Sequence, residues 1–223
     1  MTDETIIGSE ICLVIEAGPT AADRLTTALE AINVNCVIID AAPNHPLDAA
    51  MAKPLVDLIQ ARSITALLVA DAQLARALRA DGVHLPPSDT IIADYENARD
   101  ILGNRYVVGA HAGKSRHDAM SLGEANADYI AFGAPAFVKD RETALRKRYE
   151  LASWWAEIFE VPCVAFDVTT PEEARELSQS GVEFIAIPLP TAISASDQNQ
   201  VLKSIASAIA PINPPSAASA PAS

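Results

Sequence analysis

The sequence has few positive charges and no long apolar run, and each absence excludes a class of function. Only 16 lysines and arginines stand against 29 aspartates and glutamates, which gives a formal net charge of −13. A chain of this charge repels a phosphate backbone, so nucleic acid is not expected as a partner. No apolar run reaches the ~18 residues that a membrane-spanning helix needs, so membrane residence is not expected either.

The cysteines have no spacing typical of a zinc site or a redox motif. Cys12, Cys36 and Cys163 are far apart, and each lies inside an apolar, strand-like run. They are interpreted as small buried side chains in a reducing compartment, not as metal ligands or disulfide partners. The first five residues are acidic where a secretion signal would carry positive charge, so a cytoplasmic location is expected.

Short apolar runs alternate with amphipathic segments along most of the chain. The predicted strands lie at 11–15, 36–39, 64–70, 82–85, 105–110, 129–132, 162–166 and 183–187. Each run is followed by a predicted helix. The clearest helix start is Thr170-Pro171-Glu172-Glu173, which supplies an N-cap, a proline at the first helical position and a capping acid.

Eight strand–helix units in this length predict a (β/α)8 TIM barrel, an α/β fold in which each strand is buried on both faces. A single barrel domain is therefore expected over residues 1–210. A doubly wound open sheet has the same alternation and stays open as an alternative. The tail at 211–223 is rich in proline, alanine and serine and is expected to be disordered.

In such a barrel, the candidate site residues follow the carboxyl ends of the strands. Asp71 and Asp89 follow strands three and four, so their carboxylates are candidates for one Mg²⁺ that also holds a substrate phosphate. The alternative is that Asp71 only caps a helix and Asp89 only starts a turn.

The stretch at 109–115 reads Gly-Ala-His-Ala-Gly-Lys-Ser and lies between a strand and a helix. It has three residues between its glycines where a P-loop has four, so a P-loop nucleotide site is not predicted. Lys114 and Ser115 are still candidate ligands for a single phosphate at a helix N-terminus. A solvated lysine beside a capping serine is the alternative.

Two histidines end neighbouring strands and are candidate general acids or bases. His84 ends strand four and His111 ends strand five, although packed, hydrogen-bonded histidines fit the same pattern. The loop after strand six adds Gly133 and Lys139 as candidate phosphate-binding residues. Its Lys-Asp-Arg run at 139–141 is either a substrate-facing loop or a charged surface corner.

Three stretches of the chain resemble motifs of a known enzyme family. Residues 80–89 read Ala-Asp-Gly-Val-His-Leu-Pro-Pro-Ser-Asp, which is similar to the family's Ala-Asp-Gly-Val-His-Leu-Gly-Gln-x-Asp. Residues 127–133 resemble Ala-Asp-Tyr-x-x-x-Gly-Pro, and 67–71 resemble a motif that ends in Leu-Ile-Asn-Asp. The chain is thus identified as a divergent member of the superfamily of thiamine-phosphate synthases and thiazole tautomerases, which are (β/α)8 barrels.

The resemblance implies a transferase of thiamine biosynthesis. Hydroxymethylpyrimidine diphosphate would lose its diphosphate, and the nitrogen of a thiazole phosphate would capture the pyrimidine cation. Asp71 and Asp89 would hold Mg²⁺ on the leaving diphosphate. The partners implied are phosphorylated small molecules, and a homo-oligomer is compatible with the resemblance.

The chain lacks two motifs with which the family binds phosphate. The family's Gln-x-Arg-x-Lys should fall at 40–46, which has no arginine or lysine, and its Gly-Gly-Ile after strand seven is Phe166-Asp167-Val168 here. A bound anion is therefore expected near Lys114. Three functions stay open, namely a synthase with altered phosphate contacts, a thiazole tautomerase-like enzyme, and a binding protein that has lost catalysis.

Overall fold

The computed structural model describes residues 8–43 and 45–211, and within these ranges eight parallel strands form a closed barrel surrounded by eight helices. The strands are β1 Glu10–Glu16, β2 Cys36–Asp40, β3 Thr65–Val69, β4 Gly82–Leu85, β5 Val107–His111, β6 Ile130–Phe132, β7 Cys163–Ala165 and β8 Phe184–Leu189. The helices are α1 Ala21–Ala31, α2 Ala49–Gln60, α3 Ala72–Leu78, α4 Ile91–Leu102, α5 Arg116–Glu124, α6 Arg141–Ile158, α7 Pro171–Gln179 and α8 Ala195–Ile209.

The barrel closes between its first and last strands. β1 pairs with β8 in parallel, with Ile11 opposite Ile185, and the strands follow one another around the barrel in chain order. This confirms the predicted (β/α)8 fold, and the open-sheet alternative is wrong. The expectation of a disordered tail at 211–223 falls, apart from Pro211, outside the described residues.

Alternate residues of each strand pack on opposite sides of the sheet, which explains the continuous apolar runs. Leu13 and Ile15 of β1 pack outward in the cluster that joins strands to helices, whereas Cys12 packs inside the barrel with Ile38 and Leu67. Leu13 and Ile15 are at most 1% exposed. Burial of an aliphatic side chain of this size contributes about 1.5–3 kcal/mol.

Two aspartates clamp neighbouring strands at their amino-terminal ends. Asp81 donates its backbone N–H to the carbonyl of Ala66 at 2.8 Å and accepts from the Ala66 N–H through Oδ2 at 2.8 Å. Asp128 forms the same pair of bonds with Val108, at 3.1 and 2.6 Å. The two Ala-Asp motifs that carry the family resemblance therefore hold the scaffold together at the amino-terminal ends of the strands.

Helix starts are capped as the sequence pattern indicates. Thr170 accepts from the Glu173 N–H at the start of α7, with Pro171 as the first helical residue. Among the helices in the described ranges, none is long and apolar enough to cross a membrane. Cys12 and Cys163 are buried, Cys36 is half-buried, and all three thiols are free.

Candidate functional site

The site is built at the carboxyl-terminal end of the barrel, which we call the mouth and define by Glu16, Asp40, His111, Gly133 and Asp167. Glu16 and Asp40 are register partners on β1 and β2. Each follows an interior residue by two positions, so both side chains point toward the barrel axis. The inner rim of the mouth therefore presents carboxylates.

His84 lies below the mouth and is held inside the barrel by aromatic side chains. His84 is 4% exposed, its Nδ1 lies 2.9 Å from the Tyr129 hydroxyl, and its ring centroid lies 4.4 Å from that of Phe166. Burial, with a smaller contribution from His111, lowers the pKa of His84 to about 3. His84 is therefore a neutral, packed side chain that supports the floor of the site.

A glycine provides the space for Tyr129. A Cβ at Gly109 would lie 2.0 Å from the Tyr129 ring, so only glycine fits at this position of β5. The Tyr129 hydroxyl then reaches His84 across the barrel. Tyr129 was missed as a site residue, although it stands in the Ala-Asp-Tyr motif.

His111 ends β5 and has a defined tautomer. Its Nδ1 accepts a hydrogen bond from the Gly113 N–H at 2.9 Å, so the proton of the neutral ring is on Nε2. Burial lowers the pKa of His111 to about 4, so the ring is neutral at pH 7. The Nε2–H donor points toward Gly133, the first residue after the next strand, β6.

Gly133 separates His111 from Asp167. A Cβ at Gly133 would lie 2.7 Å from both His111 Nε2 and Asp167 Oδ2. The two polar atoms are thus at most twice that distance apart, and the glycine leaves the space between them open. Any side chain at position 133 would fill it.

Asp167 follows β7 with a left-handed backbone (φ 60°), a conformation that Asp and Asn adopt more readily than most residues. Its carbonyl accepts from Arg148 at 3.1 Å and from Arg141 at 3.5 Å. Burial raises the pKa of the Asp167 carboxyl, against the opposing charge of Arg148. Both arginines thus fix the Asp167 backbone.

Arg148 is the centre of this support. It is 3% exposed, donates to the Phe166 carbonyl at 3.0 Å and pairs with Glu173 of α7 at 3.2 Å. Sequence reasoning included Arg141 only as part of the 139–141 run and missed Arg148, although their spacing of seven residues on a helix places them on one face.

The two predicted metal ligands lie at the outer rim, on neighbouring strand–helix loops. Asp71 caps α3, since its Oδ1 accepts from the Leu74 N–H at 2.8 Å, and Asp89 lies exposed in the turn before α4. In the part of the chain that the structure describes, no group of three or more His, Cys, Asp or Glu side chains is arranged to hold a metal ion. A cavity of about 480 Å³ next to Asp71 is lined by Asp94 of α4 as well.

The predicted phosphate ligands lie on loops around the rim. Ser115 caps α5 by accepting from the Asp118 N–H at 3.1 Å, and Lys114 is exposed just before it. Lys139 is exposed before Asp140, which caps α6. The 139–141 run is thus a helix start whose last residue, Arg141, turns inward to the Ala134 carbonyl.

A second cavity lies at the amino-terminal end of the barrel, away from these residues. Its volume is about 430 Å³, and its lining includes Cys12, Cys36, Leu67, Tyr129 and Phe184. Tyr129 therefore borders this cavity and contacts His84 through its hydroxyl.

Comparison with known proteins identifies the relatives of this architecture. A family model described as thiamine monophosphate synthase matches residues 11–188. A thiamine-phosphate synthase of Rhodospirillum centenum is 37% identical over 193 residues, which cover 82% of this chain and 90% of the relative. Its counterpart in Erythrobacter litoralis is 36% identical over 164 residues, which cover 73% of this chain and 75% of the relative.

Solved structures share the barrel. A thiamine phosphate pyrophosphorylase from Pyrococcus furiosus has a TM-score of 0.70 at 22% identity and covers 90% of this chain and 95% of its own. A tryptophan synthase from Mycobacterium tuberculosis has a TM-score of 0.68 at 12% identity, with 91% and 93% covered. At these identities the likeness concerns the fold alone.

Proposed function

Because this chain belongs to the thiamine monophosphate synthase family, we propose that it is a cytoplasmic transferase that joins hydroxymethylpyrimidine diphosphate to thiazole phosphate. It is a thiamine-phosphate synthase-like protein of thiamine biosynthesis. The observation that carries the proposal is the family match over residues 11–188, together with relatives of that name over most of the chain. That membership supports phosphorylated small molecules as the substrates.

The reaction breaks the bond between the pyrimidine methylene carbon and the diphosphate oxygen. The electron pair leaves with the diphosphate, and the lone pair of the thiazole nitrogen then forms the new carbon–nitrogen bond. Such a route needs stabilisation of separated charges more than it needs a strong base. The pyrimidine cation that forms in this route fits a mouth lined by the carboxylates of Glu16, Asp40 and Asp167.

The two buried histidines do not fit the role of acid catalysts. Burial lowers the pKa of His84 and of His111 to about 3 and about 4, so neither ring carries a transferable second proton at neutral pH. His84 supports the aromatic floor, and His111 offers its Nε2–H as a hydrogen-bond donor. We therefore assign both as neutral groups that position the substrate.

We propose that the anionic groups lie on the outer rim. Lys114 supplies charge, and Ser115 with the following amides supplies the N-terminus of α5, where an anion is favoured. Lys139 follows on the neighbouring loop, whereas Gly133, the other candidate phosphate ligand, faces the Asp167 carboxylate and is not assigned to the anion. Asp167 keeps phosphate away from the β7 end, since a carboxylate repels an anion that no cation separates from it.

Magnesium fits the residues at the β3 and β4 loops. Asp71 and Asp89 offer exposed carboxylate oxygens on neighbouring loops, the ligand type that Mg²⁺ prefers, and Mg²⁺ is commonly held by one or two carboxylates with water and substrate phosphates. When bound there, the ion would neutralise charge on the leaving diphosphate. The cap on Asp71 engages one oxygen and leaves the other for the ion.

The decisive experiment supplies both precursors and Mg²⁺ to the purified protein and measures thiamine phosphate and diphosphate. We expect both products in equal amounts. Absence of both products would contradict the transferase proposal. Interconversion of thiazole tautomers in that case would identify the tautomerase-like alternative instead.

A matched pair of lysine variants tests the anion site. Lys114→Ala should weaken binding of thiazole phosphate by about 1.5–3 kcal/mol, the range for a hydrogen bond to a charged group. Lys203→Ala removes an exposed lysine from α8 near the amino-terminal end of the barrel and should leave binding unchanged. Tight binding that Lys114→Ala does not affect, measured by calorimetry, would place the anion elsewhere on the rim.

A further inference from the structure

The space above Gly133 has a hydrogen-bond donor on one side and an acceptor on the other. His111 is 8% exposed, and the Gly113 N–H bond to its Nδ1 leaves the Nε2–H directed into this space. No residue in the described ranges accepts that hydrogen. The Nε2–H is not among the buried unpaired polar atoms of the described residues, so it is open to solvent, and a ligand that accepts there would take the place of water.

The opposite side is an acceptor whose position is fixed. Asp167 Oδ2 lies as close to the missing Cβ of Gly133 as His111 Nε2 does. Arg141 and Arg148 donate to main-chain carbonyls, and Arg148 donates to Glu173 as well, so neither arginine donates to the Asp167 carboxylate. The backbone N–H of Ala134 bonds this carboxyl, and its remaining acceptor capacity is available to a ligand, whereas an anion is excluded from this place.

A flat heterocycle with an amino group beside a ring nitrogen matches this pair of atoms. The amino group donates, the ring nitrogen accepts, and the two lie side by side on one edge. Of the two substrates in the proposed function, the pyrimidine has this edge, whereas the thiazole has a ring nitrogen without an amino group. The absent side chain at Gly133 lets a planar ring approach the backbone closely.

We propose that His111 Nε2 and Asp167 Oδ2 form the recognition site for the aminopyrimidine edge, with the amino group donating to Asp167 and the ring nitrogen accepting from His111. The assignment rests on the proposed function for the identity of the heterocycle. It makes Asp167 a specificity residue. As the diphosphate leaves, positive charge spreads from the methylene carbon onto the amino nitrogen, where the Asp167 carboxylate stabilises it.

The test uses ligands without phosphate, so that the anion site plays no part. Calorimetry compares 4-amino-5-hydroxymethyl-2-methylpyrimidine with the analogue that has oxygen in place of the amino group. The parent protein should prefer the amino compound by ~10- to 100-fold, the equivalent of one hydrogen bond to a charged group. Equal affinity for the two compounds would overturn the proposal.

Two substitutions at position 167 separate recognition from folding. Asp167→Gly keeps the left-handed backbone and removes the carboxylate, and it should reduce the preference to less than about threefold. Asp167→Asn tolerates the same backbone and keeps an acceptor, so it should retain part of the preference. A preference that survives Asp167→Gly refutes the assignment.

A second readout does not depend on a variant. The ¹⁵N resonance of His111 Nε2 should shift when the amino compound is added to the parent protein, and an unchanged resonance under saturation contradicts the proposed contact. If the synthase assay gives no product but the protein still prefers the amino compound, the proposed reaction is refuted and the aminopyrimidine site stands. If product forms but the protein shows no preference, only the proposed aminopyrimidine site is refuted.

Discussion

Replacement of His84 should flatten the dependence of stability on pH. In the unfolded chain, a histidine titrates near pH 6.5, whereas burial lowers the pKa of His84 in the fold to about 3. Between these values the unfolded state binds a proton that the folded state does not. The free energy of unfolding therefore falls as the pH falls through this window.

The size of the effect follows from the two pKa values. Each pH unit below 6.5 costs about 1.36 kcal/mol, so His84 alone removes ~2 kcal/mol at pH 5. This is a large part of a typical stability of about 5–15 kcal/mol. His111, whose pKa is lowered to about 4, acts in the same direction. Burial raises the pKa of Asp40 and of Asp167, so these carboxyls act in the opposite direction.

The difference between variant and parent isolates His84 from these other groups. The free energies of unfolding of the parent and of His84→Gln are measured in urea from pH 7.5 to 5. The difference between the two proteins should shrink by ~2 kcal/mol from the neutral to the acid end of this range. His117→Gln, a substitution of an exposed histidine on α5, serves as the control and should run parallel to the parent. Parallel curves for His84→Gln would show that His84 accepts a proton without loss of the fold.

Two further predictions concern the metal ligands and the barrel interior. The double variant Asp71→Asn, Asp89→Asn should bind Mg²⁺ with diphosphate at least ~10-fold more weakly in calorimetry. The amide oxygen of the new asparagine at position 71 can still cap α3, so the helix should stay intact. Unchanged affinity would show that these two residues do not bind the ion. In urea unfolding, Gly109→Ala should lower the free energy of unfolding by about 1–3 kcal/mol, because the new Cβ would overlap the Tyr129 ring. Gly18→Ala is the control and should not show this loss, because a Cβ at Gly18 would have no atom within 4 Å.

The barrel was predictable because strand burial and helix starts are local signals. The alternation of Leu13 and Ile15 with interior residues makes β1 continuous and apolar, and the pattern recurs in the other strands. The start of α8 is a local signal of the same kind, since Ser194 accepts from the Asp197 N–H at 3.2 Å just before the first helical residue, Ala195.

The contacts of the mouth were less accessible to sequence reasoning. The chemistry of Asp167 depends on Arg148, 19 residues earlier in the chain, which is buried between α6 and the β7 end. Its position opposite His111 depends on a missing side chain at Gly133. Such contacts arise from the packing of separate strand–helix units, which residue spacing does not encode.

The aspartate clamps at Asp81 and Asp128 bear on the order of assembly. They join residues 15 and 20 positions apart, whereas the pairing of Ile11 with Ile185 joins the two ends of the barrel. Closure entropy grows by about 0.6 kcal/mol for each doubling of loop length, and more than three doublings separate the clamps from the final closure. The clamps thus form at ~2 kcal/mol lower entropic cost, so β3–α3–β4 and β5–α5–β6 are the units on which a folding nucleus can build before the barrel closes.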